Sequence, residues 1–456
     1  MSGIPDVIIV GAGAAGVAAS IQLAGSGFSV TILEARERIG GRMFMHRDPA
    51  FQSPIAMGAE FLHGLPPEIW EPLKSRHVLI KEVTGDLWCS QNGELSTCDF
   101  FSEVDDILKK MDANSADESF LSFLERCFPE SKSNSKLSDA KRRALSYVKG
   151  FNAADPGRVG VHWLVQGMKA EEKIQGDRAF RSENGYEDLL DYFRQEIKET
   201  GVVVEHKTIV DSVSWSPGRV EIGAHRDNEA RKFSASRVLI TLPLGVMKTA
   251  IADEGAVPIA PPLPRTKLDA LQKLEMGKVI RVVLRFRERF WDRIFPPAQS
   301  SKNLSLSMMS FLLSEDEWFP TWWTTMPDKL PIITGWAPFD CAERLSGQRR
   351  CFVTEHALQA LGNLLHVKAD KLASLLEVAY FHDWQSDPFS RGAYSYGAVG
   401  SDGAQETLAS PLENTLFFAG EATDTGGHNG TVHGAIASGR RAAKEILATV
   451  GTHTTQ

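Results

Sequence analysis

Val7-Ile8-Ile9-Val10-Gly11-Ala12-Gly13-Ala14-Ala15-Gly16 is the stretch that decides the architecture of the first part of this chain. Four apolar residues in a row predict a buried strand, and glycines at 11, 13 and 16 predict a tight turn opening into a helix. Each glycine has its own task. Gly11 turns the chain, Gly13 lets the backbone approach phosphates, and Gly16 allows close packing of helix on strand. The helix start, at Ala14 and Ala15, then stabilises the charge of a dinucleotide pyrophosphate. A second run, Ser29 to Leu33, ends at Glu34, whose carboxylate can accept hydrogen bonds from both hydroxyls of an adenosine ribose. The pattern alone serves NAD and FAD sites alike. No charged residue lies between Val7 and Leu33, as in a membrane span, but five glycines and the strand-turn-helix-strand rhythm argue against one.

A chain of 456 residues exceeds one ordinary core, so two intimately joined domains are expected. Charged residues at 24% and hydrophobic residues at 43% describe a soluble globular protein. The formal net charge of −8 disfavours nucleic acid as a partner and mildly favours cationic ligands. Five cysteines, Cys89, Cys98, Cys127, Cys341 and Cys351, make an odd count without CxxC spacing. They read as reduced thiols in a reducing compartment, neither metal ligands nor a disulfide framework. The chain enters the nucleotide fold within a few residues, leaving no room for a cleavable signal, so a cytoplasmic location is expected and no membrane association.

The expected class is α/β, in an α+β two-domain arrangement. Residues 1–80, 182–260 and 384–456 form a discontinuous nucleotide-binding domain, and 81–181 with 261–383 form an inserted substrate domain of mixed sheet and helices. Within the nucleotide domain, Leu189, Leu190, Phe193 and Ile197 share one face of a helix ended by Gly201, followed by strands Val202 to Glu205 and Val220 to Ala224. Val238 to Leu242 reads as a buried strand, and Ala435, Ala437, Ala442 and Ile446 mark a last helix. Inside the insertions, Ser131 to Ser138 reads as an exposed loop and Lys278 to Phe286 as a strand. Packing in a half-buried sheet is favoured over lining a cavity for Trp318, Trp322, Trp323 and Trp336.

Beyond Glu34 comes Ala35-Arg36-Glu37-Arg38-Ile39-Gly40-Gly41-Arg42, where the two glycines permit close approach and Arg42 can bond a phosphate. Near the other end stand Ala419-Gly420-Glu421-Ala422-Thr423 and Gly430-Thr431-Val432-His433-Gly434-Ala435. Together with Thr241-Leu242-Pro243-Leu244-Gly245, Asp387-Pro388 and Gly392-Ala393-Tyr394-Ser395, this set resembles the flavin-containing amine oxidases: monoamine oxidases, polyamine oxidases and lysine-specific histone demethylases. The resemblance covers nearly the whole chain. It implies FAD bound in a Rossmann-like domain of the p-hydroxybenzoate hydroxylase and glutathione reductase type.

Carried over to this chain, the resemblance implies that Gly11, Gly13, Gly16 and Arg42 contact the pyrophosphate and Glu34 the adenosine ribose, with Ala14, Ala15, Ala35, Arg36 and Gly41 also among the cofactor-binding residues. Val210 would meet the adenine through its backbone, Glu421 with Gly420 the ribityl region, and Val432 with Thr431 the flavin pyrimidine. Gly58, Ala59 and Glu60 would also bind the cofactor, and Trp384 and Tyr394 would shape the site near the isoalloxazine ring. A helix starting near Thr431 aims its positive end at flavin N1 and the C2 carbonyl. His428 and His433 would support the backbone of this cradle.

Monoamine oxidases tether flavin through a cysteine where this chain has Ala393, so the FAD is expected to be noncovalent. Their two-tyrosine cage matches Tyr394 and Thr431, so half of it is missing. The segment Gly58-Ala59-Glu60-Phe61-Leu62-His63-Gly64 is similar to animal polyamine oxidases. His63 can bind an ammonium indirectly or tune amine protonation, or simply cap a turn. Glu60 can favour a cationic substrate or pair with an arginine. The family's lysine near flavin N5, linked to oxygen activation, is replaced by Arg281, which shares a strand face with Val279 and Val283. A permanently charged arginine can stabilise superoxide but cannot shuttle a proton, and a structural salt bridge is its other reading.

The resemblance thus implies FAD-dependent oxidation of a small-molecule amine, polyamines first. A hydride passes to flavin N5, the imine is hydrolysed, and O2 reoxidises the flavin to give H2O2. The catalytic set is Arg281, His63 and Tyr394. The alternatives are a flavin dehydrogenase or desaturase of a non-amine, and a noncatalytic FAD-binding protein.

Overall fold

The computed structural model describes residues 5–91, 93–129, 135–297 and 304–451. Strand Val7–Val10 lies at the centre of a five-stranded parallel sheet in the order Val203–Glu205, Val30–Leu33, Val7–Val10, Arg237–Ile240, Leu416–Phe418. Both faces of this sheet are covered, which explains its uninterrupted apolar strands. Val7, Ile9, Ile32, Leu239 and Phe417 pack against Val17 and Leu23 of helix Ala14–Gly25, Phe193 of helix Glu187–Thr200, and Ile436 of helix Val432–Gly451. The alternate residues Ile8, Val10, Val238, Ile240 and Phe418 meet Val213, Val220 and Ile222 of a mixed four-stranded layer. That layer runs Glu229–Ala235, Arg219–Arg226, Ile209–Ser216, Ile259–Ala260.

The fold is therefore mixed α/β with a Rossmann-like nucleotide unit, and its glycines carry its closest approaches. A Cβ at Gly16 would stand 2.1 Å from the Gly11 carbonyl oxygen, and one at Gly439 would stand 2.2 Å from that of Ala15. Strand, turn, first helix and last helix lock together there.

A seven-stranded sheet forms the second layer, in the order Leu376–His382, Val279–Phe286, Ile332–Pro338, Thr321–Thr324, Met309–Leu313, Asp86–Gln91, Glu94–Thr97. Its Val282, Leu284 and Phe286 pack on Val353, Ala357 and Leu361 of helix Arg350–Leu365. Helices Phe100–Leu108, Phe120–Cys127, Ser135–Phe151 and Val161–Ile174 form a separate apolar cluster beside the sheet.

Three expectations need correction. Cys89 and Cys98 are joined by a disulfide, and Cys127, Cys341 and Cys351 are free. Cys89 lies on strand Asp86–Gln91 and Cys98 directly follows its hairpin partner Glu94–Thr97, with Cα atoms 5.8 Å apart, a proximity set by strand pairing that no CxxC spacing signals. The inference of a reducing compartment from five free thiols loses its premise. Residues 131–134 of the expected loop lie outside the described residues, while 135–138 open helix Ser135–Phe151. The tryptophans divide: Trp322 is fully buried in the core, Trp318 packs on Phe352 and His356, and Trp323 and Trp336 line a cavity. Among the described residues, no helix is long and apolar enough to cross a membrane.

Candidate active site

One cavity of about 1780 Å³ runs from the Gly11 turn, past Glu34 and Val210, along Arg42 and Glu421, to an aromatic end at Phe61, Phe151, Trp323 and Trp336. Small-molecule sites usually occupy about 300–1,000 Å³, so there is room for a dinucleotide and a substrate together. Gly13, Ala14, Ala15, Ala35, Arg36, Gly41, Gly58, Ala59, Glu60, His63, Arg281, Trp384, Tyr394, Gly420, Thr431 and Val432 also line it. Gly16 stands behind the turn, where it serves packing.

The nucleotide end is built to admit a ligand. A Cβ at Gly13 or Gly420 would meet no protein atom within 4 Å, so both backbones face open space. Glu34 is buried at 4% exposure, and its two carboxylate oxygens accept from Ala12 N at 2.7 Å and Arg36 N at 2.8 Å. It thus fixes the turn as well as facing the cavity. Arg36 donates to Asp387 at 2.7 Å, and His382 sits 2.9 Å from the same carboxylate. Burial opposes the charge of Asp387, yet the hydrogen bonds from His382 and Arg36 hold its carboxyl well below the usual range. Arg42 donates to the Ala393 carbonyl at 2.7 Å and to Glu421 at 3.0 Å. Glu421 also accepts from the Ser395 hydroxyl at 2.6 Å and Gly430 N at 2.9 Å, tying three distant segments together.

Thr431 caps the last helix: its hydroxyl accepts from Gly434 N at 3.0 Å and donates to the His428 carbonyl at 2.6 Å. His428 bears on this cap through its backbone carbonyl, and His433 lies in the first turn of the helix. Their rings meet edge to face at 4.8 Å, and His428 Nδ1 and His433 Nε2 have no hydrogen-bond partner among the described residues. Burial, then the neighbouring His428, pushes His433 down to about 3. Trp384 donates Nε1 to the Met57 carbonyl at 2.9 Å, which orients its ring beside Gly58.

At the aromatic end, Tyr394 donates its hydroxyl to the Phe151 carbonyl at 2.8 Å, and burial raises its pKa. His63 meets the Phe151 ring edge-on at 5.6 Å. Burial pulls His63 down to about 4, so it is neutral at pH 7 and does not titrate there.

Glu60 has a definite partner set. Its Oε1 accepts from Arg181 Nε at 3.1 Å and Nη2 at 2.8 Å, while Oε2 accepts from Trp323 Nε1 at 3.1 Å and from Arg281 Nη2. All four lone-pair positions are used. Although burial opposes its charge, Arg281 and Arg181 hold this carboxyl below its ordinary value. Of the two readings of Glu60, the ion pair is the observed one. Arg281 also donates to the Gly58 carbonyl at 2.7 Å and lies 5.5 Å from the Trp323 ring centre, so it too is in a salt bridge. Its Nε has no partner among the described residues.

Reading the sequence alone missed Arg181 and Glu171. Arg181 stands 121 residues from Glu60 on strand Ala179–Ser182, which pairs with Leu62–His63. Glu171 lies on helix Val161–Ile174 and lines the cavity. Burial, then the charge of Asp177, lifts it to about 7. Neither residue belongs to a local motif.

Comparison with known proteins adds a family to this geometry. The family described as flavin containing amine oxidoreductase matches residues 96–447, and an NAD(P)-binding Rossmann-like domain matches residues 9–75. Lysine-specific histone demethylase 1 homolog 3 of Arabidopsis thaliana is 27% identical over 97% of this chain and 30% of its own length. Homolog 2 from the same plant is 27% identical over 97% of this chain and 58% of its own length, so the chain spans less than two thirds of either relative. Polyamine oxidase 3 of Oryza sativa subsp. japonica is 26% identical over 97% of this chain and 89% of its own length. A solved structure of wild-type putrescine oxidase bound to putrescine shares the fold, with a TM-score of 0.77 at 19% identity, covering 97% of this chain and 99% of that one.

Proposed function

Because this chain belongs to the family of flavin containing amine oxidoreductases, we propose that it oxidises a small-molecule amine, polyamines first, with noncovalently held FAD. The observation that carries this reading is continuity: the cavity that starts at the dinucleotide turn ends in an aromatic pocket. When bound, FAD supplies a two-electron acceptor for the hydride of the amine's α C–H, and O2 recovers those electrons as H2O2. The imine left behind is hydrolysed by water to a carbonyl compound and an amine or ammonia.

Around that chemistry the chain's own residues bind, orient and exclude water. The Gly11 turn, Ala14, Ala15, Ala35, Arg36, Gly41 and Arg42 hold the pyrophosphate, with Glu34 at the ribose and Val210 at the adenine. Gly420 and Glu421 flank the ribityl chain, and the Thr431-capped helix directs its positive end, with Val432, at the flavin ring. Ala393 offers no nucleophile for a covalent link. Gly58, Ala59, Glu60, Trp384, Tyr394 and neutral His63 shape the ring's surroundings, and a low-dielectric pocket favours the neutral amine that donates hydride. In this reading 1–80, 182–260 and 384–456 carry the cofactor, while 81–181 and 261–383 carry the substrate end.

An anaerobic absorbance titration of the FAD-loaded protein with spermine, spermidine, putrescine and tyramine tests it. Bleaching of the flavin band by an amine, with recovery and peroxide on admitting air, is expected; no bleaching by any of them overturns it. A second reading, that an acceptor other than O2 takes the electrons, is favoured by Arg281 itself, tied down by Glu60 and Gly58 and unable to shuttle a proton. Under it, reoxidation in air is slow and Arg281→Lys accelerates it.

A further inference from the structure

We infer that Cys89 and Cys98 are a peroxide-reactive thiol pair, a reversible modification site in the wall of the cavity, closed by the H2O2 that the protein itself makes. For the source of that oxidant the inference rests on the amine-oxidation reading.

Among the described residues, Cys89 and Cys341 line the cavity, and their surroundings differ. Cys341 is joined to no second sulfur, and burial pushes its thiol up to about 11, so almost no thiolate is present at pH 7. Cys89 is 5% exposed at the cavity wall, and the sulfur it reaches belongs to Cys98, which is half-buried. A peroxide-reactive pair needs one accessible sulfur to ionise and a second within bonding reach to resolve the product, and these two supply both.

The Cys98 thiolate attacks one oxygen of H2O2 and the O–O bond breaks, leaving a sulfenic acid and, with the proton Cys98 gave up, one water. The Cys89 thiol then displaces the sulfenic oxygen as a second water, and the S–S bond forms. Two thiols lose two electrons and one H2O2 gains them. Two soluble thiols reverse the change: the first bonds to Cys98 and expels the Cys89 thiolate, and the second takes the first away as an external disulfide.

The bond crosses the substrate end of the cavity. Cys89 lies on strand Asp86–Gln91, paired with Met309–Leu313, whose Phe311 packs on Phe61 and Trp323. Two residues after Cys98 begins helix Phe100–Leu108, whose Phe100 and Val104 share an apolar cluster with Cys89 and line the cavity. The disulfide thus ties the start of that helix to the sheet. With the thiols free, what remains at this junction is apolar packing and the hydrogen bond from Cys98 N to the Leu87 carbonyl at 3.2 Å. Accumulating product therefore stiffens the wall past which substrate enters.

The test starts from FAD-loaded protein reduced with a phosphine and desalted, its thiols counted by alkylation in denaturant and mass spectrometry. Reagent H2O2 is expected to take the count from five to three, with Cys89 and Cys98 in one cross-linked peptide. Turnover in air with spermine, spermidine, putrescine or tyramine gives the same conversion, and catalase prevents it. Amide hydrogen exchange in Phe100–Leu108 is expected to be about tenfold or more faster in the reduced form, the scale of a cross-link closing a short loop, at unchanged FAD content. Cys98→Ser exchanges at the reduced rate and ignores peroxide. Five thiols surviving reagent H2O2, oxidation of Cys127 or Cys351 in place of the pair, equal exchange in both states, or turnover that releases peroxide and leaves the pair open overturns the inference. If reagent H2O2 closes the pair while no amine yields peroxide, the modification site stands and the oxidation reading falls.

Discussion

Replacing Glu60 by Gln removes one charge from a buried group of three. Arg281 is 5% exposed in its side chain, Arg181 10% and Glu60 12%, so none of the three is rescued by water. Glu60 accepts four hydrogen bonds from two guanidinium groups and an indole. A glutamine amide keeps one acceptor oxygen and turns an NH2 towards a guanidinium that can only donate. Breaking a buried pair from one side costs about 3–5 kcal/mol, and two stranded cations place Glu60→Gln at the upper end. For 456 residues at about 2 cal/mol/K per residue, the unfolding entropy is on the order of 1 kcal/mol/K, which makes the loss about 3–5 °C in Tm. Differential scanning calorimetry at low scan rate, on cofactor-free protein, measures it. Removing a cation as well, in Glu60→Gln with Arg281→Met, should recover part of the loss. A Glu60→Gln melt within 1 °C of wild type, or a double variant with the two losses simply added, refutes the three-charge account.

The two glycines of the first turn should fail differently. Gly16→Ala drives a Cβ into the Gly11 carbonyl and should lower the Tm of the cofactor-free protein, whereas Gly13→Ala meets no protein atom and should keep that Tm while losing FAD affinity; melts and FAD titrations of both variants decide it. Glu171 predicts a pH-dependent stability. Its folded pKa, about 7, lies above the ordinary 4.5, so the penalty for its charge is absent below the unfolded pKa and complete above the folded one. Glu171→Gln should therefore gain stability over wild type as pH rises from 4.5 to 8, by up to about 3 kcal/mol at 1.36 kcal/mol per pKa unit. Parallel melts at pH 5 and pH 8 giving the same difference would contradict this.

Local chemistry was legible from the chain, and distant pairing was not. The Gly11 to Gly16 turn, the helix ended by Gly201 and the Thr431 cap each announce themselves within a few residues, because glycine conformation, apolar periodicity and capping act at that range. Strand parity put Arg281 on one face with Val279 and Val283, and of these Arg281 and Val279 line the cavity. The choice between the two readings of Glu60 stayed open because its partner Arg181 arrives through pairing of Leu62–His63 with Ala179–Ser182. Cys89 and Cys98 meet only because a hairpin sets their strands side by side. Glu171 stands out by its burial beside Asp177 and by a carboxylate without a hydrogen bond among the described residues, and both are properties of the folded cavity alone.

The parallel sheet takes its edge strand, Leu416–Phe418, and the helix sealing its first turn, Val432–Gly451, from near the far end of the chain. On the ribosome, helix Ala14–Gly25 must therefore wait for the synthesis of the whole stretch up to Gly439 before that residue docks on Ala15. Its apolar face, Val17 and Leu23 among it, stays without its final cover for that interval, a situation that invites chaperone capture. The hydrophobic sheet spliced between the halves can mature earlier, since its strands from Val279 to His382 are near neighbours in sequence. Completion of the dinucleotide cradle thus follows the synthesis of helix Val432–Gly451, and a cofactor that binds only the completed cradle stabilises it by mass action.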